Sequence, residues 1–180
     1  MNSWCKNLEL LIKSRTSLIW IRTKEEERLE KILNLTSERL NIKRYARWDC
    51  VNGIKGLVNE DGKFSNNPLG VLNWLKEQNS EVSTILLLKD FHKFYDDPTI
   101  NRTIKKLTSS LKGTNHNLII SSHLFPSSEE LDELMTILTL PLPDQKELKK
   151  LIKTIAINTN SNLNEQDLNE LSLASSGLSE

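Results

Sequence analysis

The chain has 180 residues, 37% of them apolar and 27% charged, and its 24 basic side chains balance 24 acidic ones. A chain of this length buries roughly 70% of its unfolded surface, which allows one good core plus a small appendage and leaves little room for two full domains. The balanced charge gives no global field to gather nucleic acid or an anionic membrane, and the two cysteines, Cys5 and Cys50, support neither a disulfide framework nor a structural zinc site.

In chain order, Trp4, Leu8, Leu11 and Ile12 form the stripe of a helix with one buried face. Residues 17–22 (SLIWIR) have the β-branched and aromatic character of a central strand in a covered parallel sheet. Thr23 and Glu26 then read as a capping box opening a helix to about Leu40, with Leu29, Ile32 and Leu33 on its inner face. Residues 42–51 (IKRYARWDCV) are rich in strand formers, and Asn52-Gly53 marks a turn. The glycine-containing stretch 53–67 reads as a loop or loose hairpin, after which Asn67-Pro68 opens a helix carrying Leu69, Leu72, Trp74 and Leu75.

Residues 83–88 (STILLL) are the most apolar run and predict the next strand, followed by a helix from Asp97-Pro98 to Gly113. Residues 117–121 (NLIIS) predict a strand, Ser127 and Glu130 cap a short helix, and residues 135–140 (MTILTL) give a fifth strand. This alternation predicts an α/β fold: three αβα layers with a five-stranded parallel sheet, and ligands beyond the carboxyl ends of its strands. After Pro141-Leu142-Pro143, Asp144 caps a helix, the polar linker NTNSN follows, and a last helix spans residues 163–171. The expected division is 1–143 for the αβα domain and 144–180 for a small helical part.

A phosphate-cradling loop needs GxxxxGK[ST] directly after a core strand, and none stands there. Residues 23–28 (TKEEER) instead place three carboxylates in the first helical turn, where they fill its favourable N-terminal potential and repel an anion. The stretch from Gly56 to Gly62-Lys63 has the wrong spacing and ends in Phe64. Residues 85–90 (ILLLKD) look like the strand that delivers a magnesium-binding acid and a neighbouring glutamate in P-loop ATPases, but the pair is broken, with either Lys89 or Asp90 in the acid's place. His92, His116 and His123 match no metal-ligand spacing and read as surface or loop residues. Arg39, Lys43, Arg44 and Arg47, interleaved with Tyr45 and Trp48, could suggest nucleic-acid contact, but the strand periodicity favours solvated faces.

The strand ILLLKDFHKF, the later strand NLIISS, and ILTLPLPDQKELKKLI followed by LNELSLASSGLS together resemble an AAA+ module with a partial helical lid. More closely, SRTSLIWIRTKEEERLEKIL, WDCVNG, LLLKDFHKF and LPLPD resemble the degenerate N-terminal region of an AAA ATPase family of cyanobacteria and algal plastids, known as hypothetical chloroplast reading frame forty-six. The resemblance implies a P-loop NTPase-like fold whose phosphate loop is absent, with Lys89 or Asp90 at the vestigial magnesium position and Ser121 or Ser122 at the vestigial sensor position. It implies that ATP and magnesium belong to a second, catalytic module of a product about twice as long or more, so that this chain is expected to be a truncated or split product. No arginine stands between Pro126 and Leu134, where the family's arginine finger would be expected.

The expected function is therefore a non-catalytic domain that meets protein surfaces, with a catalytic AAA module in cis or trans as partner, other proteins and a homo-oligomer as further possibilities, and neither membrane nor nucleic acid. Phe91, Phe94 and Tyr95 are the expected interaction residues, no cofactor or metal is expected on this chain, and the location is the cyanobacterial cytoplasm or the plastid stroma. The alternatives are weak ATP turnover through Asp90 with Lys63 or Lys89, and nucleic-acid binding through Arg39 to Arg47.

Overall fold

The apolar run after Ser17 becomes strand β1 (Leu18–Arg22), whose first four residues are all buried. In the computed structural model, which describes residues 3–57, 64, 66–124, 133–159, 161–175 and 177, helix α1 (Ser3–Lys13) precedes this strand and α2 (Glu26–Arg39) follows it. Next come β2 (Arg44–Asp49), β3 (Gly53–Lys55), α3 (Pro68–Lys76), β4 (Thr84–Lys89), a one-turn 3-10 helix (Phe91–Phe94), α4 (Pro98–Leu111), β5 (His116–Ser122) and β6 (Thr136–Thr139). The expected short helix at Ser127 and Glu130 lies outside the described residues, as does Lys63. No described helix is long and apolar enough to cross a membrane.

The strands lie in the order β3-β2-β4-β5-β1-β6, and every neighbouring pair is parallel except β2 with β3. Six strands replace the five expected, because the chain turns back on β2 straight after Asn52. The Asp49 carboxylate accepts the backbone N–H groups of Val51 at 2.9 Å and Asn52 at 2.7 Å, and Gly53 takes a φ of 69°. Gly56, at a φ of 93°, passes so close to β2 that a Cβ would stand 2.6 Å from the Tyr45 carbonyl oxygen. A strand of three residues carries too little periodicity to stand out from a polar, glycine-rich stretch.

Alternation along the strands builds two apolar layers. Leu18 and Trp20 of β1, Ala46 and Trp48 of β2, Leu86 and Leu88 of β4, and Leu118 and Ile120 of β5 face α3 and α4. Ile19, Ile21, Ile85, Leu87 and Ile119 face the opposite way, toward Leu8 and Ile12 of α1 and Leu29 and Leu33 of α2. The result is an α/β fold of three αβα layers. Helix starts follow local chemistry: Asn67 accepts the Gly70 N–H at 2.9 Å ahead of Pro68, and Asp97 accepts those of Thr99 and Ile100 ahead of Pro98.

Helix α2 departs from its expected capping box. It begins at Glu26 without a side-chain cap, because the Thr23 N–H bonds the Ser122 carbonyl at 2.8 Å and carries the strand one residue further; the Thr23 hydroxyl instead accepts the Glu25 N–H at 2.9 Å. His116 also corrects its sequence reading: it is 2% exposed in β5, and burial pushes its pKa below the usual imidazole range.

The chain divides into two compact units, Met1–Leu140 and Pro141–Glu180. In the second, α5 (Gln145–Asn158) and α6 (Glu165–Ala174) pack against each other, each opened by a capping box, Asp144 with Glu147 and Asn164 with Asp167. Lys153 reaches Glu165 at 2.8 Å.

Trp48 is 1% exposed, its indole N–H donates to the Phe64 carbonyl at 2.9 Å, and its ring meets Phe91 at 5.5 Å between centroids. Trp48→Ala is expected to cost about 3–5 kcal/mol and lower Tm by roughly 10 °C, while Trp48→Phe should lose only about 1–2 kcal/mol through the hydrogen bond. Thermal unfolding followed by circular dichroism checks the order of the two.

Candidate functional site

In a parallel sheet covered on both faces, ligands are met at the carboxyl ends of the strands. The register brings three of those ends together, with Arg22 of β1 opposite Ser122 of β5 and Lys89 of β4 opposite Ser121. The Asp90 N–H continues the ladder onto the Ser121 carbonyl at 3.0 Å. Lys89, Asp90, Ser121 and Ser122 are thus neighbours at one edge. Ser121 is buried and its hydroxyl has no hydrogen-bond partner among the described residues, whereas the Ser122 hydroxyl accepts the Leu124 N–H at 3.0 Å.

Helix α2 supplies acid to this edge. Glu25 and Arg28 form an ion pair at 2.8 Å with side chains only 6% and 5% exposed. The Lys89 ammonium lies 3.6 Å from the Glu26 carboxylate and pairs with Glu30, which also lies 3.3 Å from the Arg47 guanidinium. Burial pushes the Glu26 carboxyl above the usual range, the Lys89 ammonium pulls it back down, and the nearby Asp90 charge raises it again.

These residues do not fit a nucleotide phosphate with its magnesium. A phosphate would meet carboxylates at the start of α2, and the Lys89 ammonium stands beside them.

The 3-10 helix after β4 corrects part of the expected interaction surface. Phe91 is fully buried and Tyr95 is 6% exposed; Phe94 is half-buried. Phe91 and Phe94 pack as tilted rings at 5.3 Å, and Tyr95 meets Trp20 at 5.5 Å, so the aromatic run closes the end of the core instead of facing solvent. Burial drives the Tyr95 hydroxyl upward in pKa. The turn that aims these rings inward starts at Asp90, whose φ of 49° is a left-handed conformation that aspartate tolerates. It leaves the Asp90 carboxylate at the rim, with His92 Nδ1 3.7 Å from Asp90 Oδ1 and the His92 and His123 rings 5.5 Å apart. Burial pushes the His92 imidazole down in pKa, while the Asp90 charge pushes it up.

The basic residues considered for nucleic acid are engaged within the fold. Arg39 pairs with Glu9 at 2.7 Å, Arg47 with Glu30, and Arg44 donates to the Gln78 side chain, while the interleaved Trp48 is buried.

Sequence reasoning missed the pairing of Lys89 with Glu30, and the meeting of His92 with His123 across 31 positions. One signal was available for the second. DFH closes one core strand and SSH closes another, so neighbouring strands would bring both histidines to the same edge.

Compared with known proteins, residues 4–140 match the SpoVK-like AAA ATPase, N-terminal domain. Over 98% of its length the chain is 32% identical to the AAA domain-containing protein ycf46 of Guillardia theta and spans 35% of that relative. It is 35% identical to the ycf46 protein of Gracilaria tenuistipitata var. liui, again over 98% of its length, and spans 36% of it. The chain therefore covers about a third of the length of these relatives. The FIGL-1 AAA domain in complex with ADP aligns with 99% of this chain and 66% of its own, at a TM-score of 0.70 and 8% identity. A structure of the E. coli MS115-1 HORMA:CdnC:Trip13 complex aligns with 96% of this chain and 63% of its own, at a TM-score of 0.61 and 11% identity. At such identities the structural likeness bears on the fold alone.

Lys89→Met removes the ammonium and keeps the aliphatic stem, so it should cost about 1–2 kcal/mol at neutral pH, where the carboxylates of α2 lose their partner. The sign of the pH dependence follows from Glu26. Its raised folded-state pKa rises further without Lys89, so the destabilisation is full above that pKa and relieved as the pH falls and Glu26 takes up a proton. Urea melts of both proteins between pH 7 and pH 4 should show the gap narrowing toward acid.

Proposed function

The chain belongs to the SpoVK-like AAA ATPase N-terminal domain family, and from that premise we propose that it is a non-catalytic AAA-type module that regulates or recruits a catalytic ATPase module through protein contacts. The observation that carries this reading is the charge at the carboxyl edge. Carboxylates of α2 compensated by Lys89 and Arg47 stand in the first turns of the helix that follows β1, and a helix start favours phosphate only where no carboxylate fills it. The domain keeps the AAA-type framework and presents a rim of polar side chains and short loops where the chemistry would otherwise be.

On this reading the partner is a catalytic AAA module, in the same chain or a separate one, with other proteins or a second copy of this chain as further contacts. ATP and magnesium act at that module, and the setting is a cyanobacterial cytoplasm or a plastid stroma.

Calorimetric titration of the chain with ATP and magnesium is expected to give no binding heat up to millimolar nucleotide. Micromolar binding that disappears in Asp90→Ala would overturn the proposal in favour of a rearranged nucleotide site. In a longer relative, replacing Lys89 and its α2 partners at the corresponding positions should change the ATPase rate of the whole protein without abolishing nucleotide binding; an unchanged rate argues against a regulatory role.

A further inference from the structure

We propose that Asp90, His92 and His123 form a binding site for a divalent transition-metal ion of the Zn2+ class at the carboxyl edge of β4 and β5. Each residue offers one ligand atom, and the three atoms lie within 4.8 Å of one another. His92 Nδ1 and Asp90 Oδ1 are already 3.7 Å apart, close to the spacing of about 3.4 Å between neighbouring ligand atoms around a tetrahedral zinc with bonds of about 2.0–2.1 Å. Asp90 and His123 are both exposed, which leaves their side chains room to turn toward an ion.

The second observation is the state of His92. Its side chain is only 10% exposed, and neither ring nitrogen has a hydrogen-bond partner among the described residues. A buried imidazole without partners is a cost the fold would ordinarily avoid, and coordination through one nitrogen removes half of it. His92 turns toward the exposed carboxylate and toward the His123 ring, which meets it edge-on at an interplanar angle of 85°.

The scaffold is also suited to hold a fixed geometry. Asp90 and His92 stand on the turn that leaves β4, His123 directly follows β5, and the Asp90 N–H bonds the Ser121 carbonyl at 3.0 Å, so both ligand-bearing segments are tied by the ladder. Lys89, next to Asp90 in sequence, is drawn away to Glu26 and Glu30 on α2, while the charge of Lys93, next to His92, still acts on that imidazole. Two imidazole nitrogens and one carboxylate oxygen are a donor set for zinc and its first-row neighbours rather than for magnesium or calcium, which favour oxygen alone. Three protein ligands leave a fourth position at the rim for water or for a side chain of a docking partner.

The site needs no nucleotide, so its test stands apart from that of the proposed function. Untagged, chelator-treated chain is titrated with ZnCl2 in nucleotide-free buffer, by calorimetry and by thermal melting. One equivalent should bind with a micromolar Kd and raise Tm, and millimolar MgCl2 should do neither. His123→Ala and Asp90→Asn, both changes at exposed side chains, should each weaken zinc by roughly tenfold or more while leaving the metal-free Tm near that of the parent. Replacing Cys5 and Cys50 by serine should leave the affinity unchanged, and Co2+ should give a spectrum free of thiolate charge transfer. The proposal is overturned if zinc does not bind, if His123→Ala binds it as tightly as the parent, or if binding vanishes with the cysteines.

Discussion

A parallel sheet covered by helices on both faces gives a charged side chain one way out, at the ends of its strands. The first five residues of β4 are buried, as are all seven of β5, so the first charge that β4 can carry is Lys89 at its last position. That ammonium meets carboxylates presented by the first turns of α2, and the pairing joins the end of a central strand to the helix that follows β1. The remainder of the edge is arranged around this junction. Arg47 joins it from β2 through Glu30, and Asp90, released into a left-handed turn, sends the next aromatic residues back under the sheet.

The same junction sets the charge at the edge. A helix start is a favourable place for an anion, and here three glutamates in succession, Glu25 to Glu27, occupy it from within the chain. One of them is locked with Arg28 below the surface and the next faces Lys89. Internal compensation of this kind neutralises the helix start from within the chain. Beyond it lies the rim where His92 and His123 meet.

Much of the fold was legible because its signals are local. The run 83–88 and the stripe of Ile100, Ile104, Leu107 and Leu111 state strand and helix in their own periodicity, and Asn67-Pro68 and Asp97-Pro98 announce helix starts with the chemistry that caps them. The lost capping box at Thr23 shows the limit. Its pattern was correct, but a backbone bond to Ser122, far away in sequence, held the residue in the sheet. Phe91 and Tyr95 depart from expectation for a related reason: a loop position suggests exposure, and the left-handed turn at Asp90 precedes rings that lie in the core.

The sequence by itself determined the alternation of elements, the missing phosphate loop, the acidic start of α2 and the family resemblance, since each is written in neighbouring residues. The tertiary structure alone decided which strand ends meet. Strand order is a matter of crossovers and packing, and it is the adjacency of β4 to β5 and of β5 to β1 that pairs Lys89 with α2 and brings His123 to His92. Contacts across such distances depend on the global arrangement of the sheet, which no local pattern encodes.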